Sequence, residues 1–168
     1  MFVVGFIGHS GVGKTTLMEK VLARLVSRGR TVSAVKSSHH GIDLDTPGKD
    51  SWRYRTAGAN EVALVSDKRW ALMKECDEEV KLSEIVSRMQ PVDIILVEGY
   101  KSEEGIARIL VHRKGISEDE LLLSPGVVAV ATDDESLAVP EGIAKLDINS
   151  PGAVANFVVT LKADSDHL

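Results

Sequence analysis

A run of small and polar residues separates an apolar stretch from a helical pattern near the start of the chain. Its sequence, GHSGVGKT, spans Gly8 to Thr15 and fits the phosphate-loop pattern of glycine, four residues and Gly-Lys-Thr. Glycines allow the backbone to turn successive N–H groups inward, which forms a nest for phosphate oxygens. A helix that begins at Lys14 would add the positive end of its dipole. The loop therefore predicts binding of a ligand that carries phosphate.

The residues of this loop have separate expected roles. Lys14 supplies a mobile positive charge for the β- and γ-phosphates and is a candidate catalytic group, and the hydroxyl of Thr15 would ligate Mg²⁺. A glycine-rich turn with an exposed lysine is the alternative, but the strand pattern before the loop and the helical pattern after it favour phosphate binding. The expected phosphate contacts come from Ser10, Gly11, Val12, Gly13, Lys14, Thr15 and Thr16.

A nucleotide site of this kind needs an acid on the metal side, and Glu98 is the candidate. It follows the apolar run Ile94–Val97, at the carboxyl end of a predicted strand, where an acid can face the loop across neighbouring strands. Asp93 lies at the start of the same predicted strand and is expected at the opposite edge, on the surface or in a turn. We therefore predict Glu98 as a Mg²⁺ ligand and catalytic group, with a solvated glutamate at a strand end as the alternative.

The polar segment 37–51 is a third candidate part of the site, and it concentrates histidines and aspartates. In one interpretation its acids contact Mg²⁺ or its waters, and the loop senses the γ-phosphate as switch segments do. In another, two histidines and an aspartate bind a transition metal, although adjacent histidines rarely point the same way. A plain solvated loop is the third interpretation. The outer-pocket candidates are His39, His40, Asp43 and Asp45, and Asp50 is a candidate catalytic base and Mg²⁺ ligand.

The positions of these residues depend on a predicted alternation of strands and helices. Short apolar, β-branched runs predict strands at 2–8, 31–36, 92–100, 108–113, 127–133 and 144–148. Apolar spacing and capping residues predict helices at 14–28, 50–56, 82–89 and 151–161, and a capping box of Ser117 with Glu120 predicts a further short helix. Residues 61–75 are typical of two strands joined by a turn. The pattern predicts an α/β fold, a three-layer P-loop NTPase domain with a mostly parallel central sheet flanked by helices. This single domain would cover 1–163, with 164–168 as a disordered tail.

The charge and composition of the chain argue against nucleic acid and membranes as binding partners. The net charge of −5 and the aromatic content of 4% disfavour nucleic acid, and no apolar run approaches the roughly 20 residues that span a bilayer. The N-terminus lacks the pattern of a signal peptide. Cys76 is the single cysteine, which we expect to be buried and inert. We expect a cytoplasmic protein that binds neither nucleic acid nor membrane.

The identity of the base is open from the residues alone. The Asn-Lys-x-Asp stretch typical of guanine sites does not occur, and Thr132-Asp133-Asp134 is compatible with a similar role or with a simple turn. Chemistry therefore does not separate GTP from ATP. Arg53 and Arg55 are the arginines expected near the site, and no arginine finger or positioned glutamine stands out, which predicts slow hydrolysis.

Three stretches together resemble the molybdopterin-guanine dinucleotide biosynthesis protein B family. They are GHSGVGKTTL, VKSSHHGIDLDTPGKDSWRYRTAGA and DIILVEGYK. The phosphate loop alone is generic, whereas the His-His segment leading to Pro47–Ser51 and the segment Val97–Lys101 make the resemblance specific. The likeness spans residues 1–113.

This resemblance implies a GTP-binding adaptor, with Mg²⁺, in molybdenum cofactor maturation. The implied partner is the guanylyltransferase that attaches GMP to molybdopterin, and direct binding of molybdopterin itself stays open. Family members are dimeric, with extended strands in the subunit contact. Carried over by position, Glu98 belongs to the Mg²⁺ side, while Asp50 and His39-His40 line the outer pocket.

Two other functions use the same loop. An ATP-dependent small-molecule kinase or ligase would use an aspartate such as Asp50 as base. A metal-insertion GTPase of the nickel-chaperone kind would need a cysteine or histidine site that bridges a dimer, and Cys76 alone gives this thin support.

Overall fold

Two compact units make up the chain in the computed structural model, which describes residues 1–38, 41, 44–117, 121 and 123–165. The first unit combines Met1–Ser37 with Met89–Leu168, and the second is Ser38–Arg88. In chain order the elements are β1 (Phe2–Ile7), α1 (Lys14–Val26), β2 (Val32–Lys36), α2 (Asp50–Thr56), β3 (Glu61–Val65), β4 (Trp70–Lys74), α3 (Leu82–Arg88), β5 (Ile94–Glu98), β6 (Ala107–Val111), β7 (Val127–Thr132), β8 (Ala144–Asp147) and α4 (Pro151–Ser165).

The first unit is built on a six-stranded parallel sheet. Its strand order is β2-β5-β1-β6-β7-β8, so β5 lies between the first two strands of the chain. Glu98 at the end of β5 is in register with Phe6 of β1 on one side and with Lys36 of β2 on the other. The segments that follow β1, β2 and β5 therefore meet at one edge of the sheet, as expected for the ligand-binding edge of a parallel α/β sheet.

One face of this sheet packs against α1 and α4. Val4 and Phe6 of β1 point to this face and are fully buried. The helices contribute Leu17, Val21 and Leu25 from α1 and Val154, Ala155 and Val158 from α4 to the same apolar cluster. The apolar stripe on α1 thus fixes the rotation of the helix that begins at the phosphate loop.

The second unit contains a separate antiparallel hairpin of β3 and β4. Val65 pairs with Trp70, and the turn is closed by Ser66 N–H donating to the carbonyl of Arg69 at 2.8 Å. The hairpin exposes large apolar side chains at Leu64, Val65, Trp70 and Leu72. Cys76 follows β4 and is exposed, so the expectation of a buried thiol is wrong; the hairpin that precedes it is mostly solvent-exposed.

The other predicted elements are present, with ends that differ by a few residues, whereas the short helix predicted to start at Ser117 falls mostly on residues outside those described. The α/β architecture with a mostly parallel sheet and flanking helices is confirmed. Helix α4 continues past the predicted end near Leu161 to Ser165, and it therefore includes residues 164 and 165 of the predicted tail. Residues 166–168 lie outside the described residues. No helix in the described ranges is long and apolar enough to cross a membrane.

Candidate functional site

The phosphate loop joins β1 to α1 through glycines in conformations that other residues rarely adopt. The φ angles of Gly8, Gly11 and Gly13 are +146°, +80° and +93°. Gly13 is the N-cap of α1, and its carbonyl accepts the first bond of the helix from Leu17 N–H at 2.9 Å. The N-terminal amides of α1 therefore follow directly on the loop, the arrangement that binds anions in phosphate loops.

Lys14 places its ammonium group over this loop. Its Nζ donates to the carbonyls of Gly8 at 3.1 Å and His9 at 2.7 Å. Partial burial lowers the pKa of Lys14, Glu98 opposes this shift by its negative charge, and the positive charges of Lys101 and Lys36 add to the lowering. A negatively charged ligand would stabilise the protonated form, since opposite charges attract at short range.

Glu98 and Thr15 bring a carboxylate and a hydroxyl together at the carboxyl edge of the sheet. The Thr15 hydroxyl donates to Glu98 Oε2 at 2.7 Å, and Lys36 Nζ lies 3.4 Å from Glu98 Oε1. Glu98 is only 7% exposed, so these partners offset the cost of burying its charge. Oxygen ligands of this kind, completed by phosphate oxygens and water, fit Mg²⁺.

Backbone hydrogen bonds to Ser37 and Phe6 fix the end of β5, where Glu98 lies. Its carbonyl accepts from Ser37 N–H at 2.9 Å, and Gly99 N–H donates to the carbonyl of Phe6 at 3.3 Å. Gly99 has a φ of +101°, and an added Cβ would lie 2.9 Å from Ser37 Cβ. Glycine is therefore required where the ends of β2 and β5 come together beside the site.

Comparisons with known proteins show which family the chain belongs to. The family model of molybdopterin guanine dinucleotide synthesis protein B matches residues 3–133. The chain belongs to this family. It is 42% identical to the molybdopterin-guanine dinucleotide biosynthesis adapter protein of Escherichia coli over 163 residues, covering 94% of this chain and 91% of the relative. It is 39% identical to the adapter protein of the same name from Haemophilus influenzae, covering 93% and 86%.

Solved structures of the family have the same fold. The crystal structure of a molybdopterin-guanine biosynthesis protein B is 25% identical and superposes with a TM-score of 0.74, covering 96% of this chain and 99% of the other. A MobB protein homolog from Bacillus stearothermophilus is 24% identical with a TM-score of 0.72, covering 98% and 99%. The comparisons support neither the kinase or ligase function nor nickel insertion.

An arginine that sequence reasoning missed contacts the phosphate loop. Arg113 follows β6, and its Nε donates to the carbonyl of Val12 at 3.3 Å. Its Nη1 donates to Asp133 Oδ2 at 3.0 Å. Arg113 is absent from the sequence-based candidates, which name only Arg53 and Arg55. The sequence does place Arg113 directly after a predicted buried strand, but it does not show that this strand pairs with β1.

The Thr132-Asp133-Asp134 segment forms a turn with its own hydrogen bonds. Asp134 Oδ1 accepts from the backbone N–H and the hydroxyl of Ser136 at 2.9 and 2.6 Å, and the hydroxyl bond is the main cause of the lowered pKa of Asp134. The segment lines a cavity of about 320 Å³ at the ends of β7 and β8, together with Glu135, Lys145, Leu146, Asp147 and Asn149. These residues therefore form a turn and also line the cavity.

The remaining candidates belong to the second unit or lie outside the described residues. Asp45 receives two bonds from Arg55, from Nε at 3.2 Å and from Nη2 at 3.1 Å, and Arg55 also reaches Glu75 at 3.4 Å. These bonds, above all those with Asp45, raise the pKa of Arg55. Asp50 is the first residue of α2 and lines an open cavity on that helix.

His39, His40 and Asp43 lie outside the described residues. Across the residues that the structure does describe, no group of three His, Cys, Asp or Glu side chains is arranged to hold a metal ion. The outer-pocket roles of the two histidines, Asp43 and Asp45, and the catalytic role of Asp50, stay predictions.

Proposed function

We propose that this chain binds GTP with Mg²⁺ at its phosphate loop and acts in the cytoplasm as an adapter for the guanylyltransferase that makes molybdopterin guanine dinucleotide. The observation that carries the proposal is the juxtaposition of Lys14, on the loop carbonyls, with the Thr15–Glu98 pair at 2.7 Å. Lys14 and the amides of Ser10 to Thr16 would neutralise the phosphates. The names of the relatives supply the biosynthetic context.

Charge neutralisation and positioning are the chemistry that these residues offer. Phosphoryl transfer needs little covalent assistance from the protein, so a lysine, loop amides and a metal ion provide most of what it requires. Thr15 and Glu98 would hold Mg²⁺, which would neutralise charge on the β- and γ-phosphates. Arg113, the arginine at the loop, already binds Val12 and Asp133. Slow intrinsic hydrolysis fits a role as a nucleotide-binding adapter.

Paired titrations of GTP and ATP, with and without Mg²⁺, test the nucleotide part of the proposal. We expect preference for GTP, and Mg²⁺ should strengthen GTP binding in the unsubstituted chain. Glu98→Gln keeps the shape of the side chain and the acceptor for Thr15 but removes the charge. The factor by which Mg²⁺ strengthens GTP binding should therefore fall about tenfold. A preference for ATP would rule out the assignment in this form.

The adapter part is tested separately, by the rate at which the guanylyltransferase forms the dinucleotide from Mg²⁺–GTP and molybdopterin. We expect this chain to raise that rate, and a chain that leaves it unchanged contradicts the adapter role.

A homodimer is the proposed assembly, and the hairpin of β3 and β4 supports it. An isolated two-stranded hairpin is marginally stable in water, and this one exposes Val65 and Trp70 side by side. Trp70→Glu should raise the dimer dissociation constant at least about tenfold, because aromatic residues dominate interface energetics. Lys68→Ala, in the turn of the same hairpin, makes the net charge more negative by the same one unit and is the charge control. Sedimentation equilibrium measures both, and an unchanged constant for Trp70→Glu would place the subunit contact elsewhere.

A further inference from the structure

The carbonyl of Val12 is a buried acceptor in the middle of the phosphate loop. Val12 is 0% exposed, so its oxygen has no access to water. It lies one residue before the N-cap Gly13, whose own carbonyl takes the first bond of α1. Within the described residues, Arg113 Nε is the donor that reaches the Val12 oxygen, at 3.3 Å. A buried carbonyl without a donor is costly, so this contact matters to the loop.

The same contact controls the direction of the next amide. Each peptide of the described chain is trans, so the Val12 carbonyl and the Gly13 N–H point in opposite directions across one rigid plane. Gly13, on one side of this peptide, has a φ of +93°, and a glycine lets the adjoining peptide rotate at lower cost than other residues do. A donor that holds the Val12 oxygen on the Arg113 side therefore keeps the Gly13 N–H turned to the other side.

Arg113 is itself held by a second contact. Its Nη1 donates to Asp133 Oδ2 at 3.0 Å, and Asp133 Oδ1 accepts from the backbone N–H of Lys114 at 2.9 Å. The guanidinium is thus fixed between the end of β7 and the phosphate loop. Because an arginine offers several donors in a planar fork, one side chain can satisfy both acceptors.

We propose that Arg113 is a positioning residue that aims the Gly13 amide at a phosphate of the bound nucleotide, with Asp133 holding Arg113 in place. The identity of the ligand as a nucleotide rests on the proposed function. The competing role is direct attraction between the guanidinium charge and phosphate. The two roles have different requirements. Positioning requires a hydrogen-bond donor at the Nε position, whereas direct attraction requires a positive charge.

Three substitutions separate these requirements. Arg113→Gln places an N–H donor at the position of Nε but carries no charge. Arg113→Met places a methyl group there, and Arg113→Lys keeps the charge but has a methylene at that position. Glutamine and methionine both remove the charge and the contact of Nη1 with Asp133, and of the two only glutamine offers a donor to Val12.

Titration with pyrophosphate isolates the phosphate contacts from any effect of the base. Affinity is measured by calorimetry, and the backbone resonance of Gly13 is followed in ¹H–¹⁵N spectra. We expect Arg113→Met and Arg113→Lys to weaken binding about tenfold and to lose the Gly13 response, as for a lost buried hydrogen bond. Arg113→Gln should stay within about threefold of the unsubstituted chain and keep that response.

Other outcomes overturn the inference. Tight binding by the lysine variant with weak binding by the glutamine variant would assign Arg113 to charge attraction. Equal affinity in the methionine and unsubstituted chains, or no Gly13 response in the unsubstituted chain, would show that the contact with Val12 does not aim the amide. Arg113-dependent pyrophosphate binding in a chain that prefers ATP to GTP would contradict the proposed function and leave this inference standing.

Discussion

Replacement of Lys14 by alanine is expected to weaken GTP binding about 100-fold, which corresponds to about 2.7 kcal/mol at 25 °C. Charge-assisted hydrogen bonds from an ammonium to phosphate are each stronger than neutral ones, and a lysine can contribute more than one. Lys14 Nζ already lies over the loop, on the carbonyls of Gly8 and His9. Calorimetric titration with Mg²⁺–GTP measures the change.

The matched control is Lys20→Ala, which removes the same charge from the exposed side of α1. A single exposed charge is screened by solvent and salt, so its loss should alter affinity by less than about threefold. Thermal unfolding without nucleotide should be nearly the same for Lys14→Ala as for the unsubstituted chain, because Lys14 is only partly buried. Similar losses of affinity in the two variants would mean that a general positive field, and not the loop geometry, attracts the nucleotide.

The local elements of the fold were accessible from the sequence, whereas the order of the strands was not. Ile94–Val97 is a continuous buried apolar run, and such a run predicts a strand with both faces covered. Its insertion between β1 and β2 depends on contacts between segments far apart in the chain. Apolar pattern alone carries no information about which parallel neighbour such a strand takes.

The same limit explains which site residues could be predicted. Lys14 and Thr15 belong to a contiguous motif whose spacing carries the chemistry, and Glu98 ends a strand whose direction places it at the ligand-binding edge. Arg113 reaches Val12 only because β6 pairs with β1, with Ile7 opposite Leu110. Its contact depends on a pairing that nothing in the local sequence reveals.

The histidine- and aspartate-rich segment illustrates a different limit. Composition identified Asp45 as a candidate for the outer pocket, and in the structure its carboxylate binds Arg55, with only 2% of the side chain exposed. An aspartate that pairs with a nearby arginine and an aspartate that binds a ligand have the same residue type, so the sequence does not tell them apart. Distinguishing them needs the position of the partner, ten residues along the chain and on α2.

Gly8→Ala is expected to destabilise the folded chain by at least about 3 kcal/mol, more than a left-handed conformation alone would cost. An added Cβ would lie 2.4 Å from the carbonyl oxygen of Val111, which belongs to the backbone of β6 and has little freedom to move. The substitution also conflicts with the φ of +146°. Urea unfolding at fixed protein concentration measures the difference.

Gly29→Ala separates the two causes of this loss. Gly29 also has a positive φ, +77°, but no atom lies within 4 Å of an added Cβ, so only the conformational cost of about 1 kcal/mol applies. Equal destabilisation by the two substitutions would show that β6 does not press against the loop. A larger loss at Gly8 would mean that β6, which ends two residues before Arg113, is packed directly against the start of the phosphate loop. The residue that contacts Val12 would then be held at the loop by the sheet itself, before any nucleotide binds.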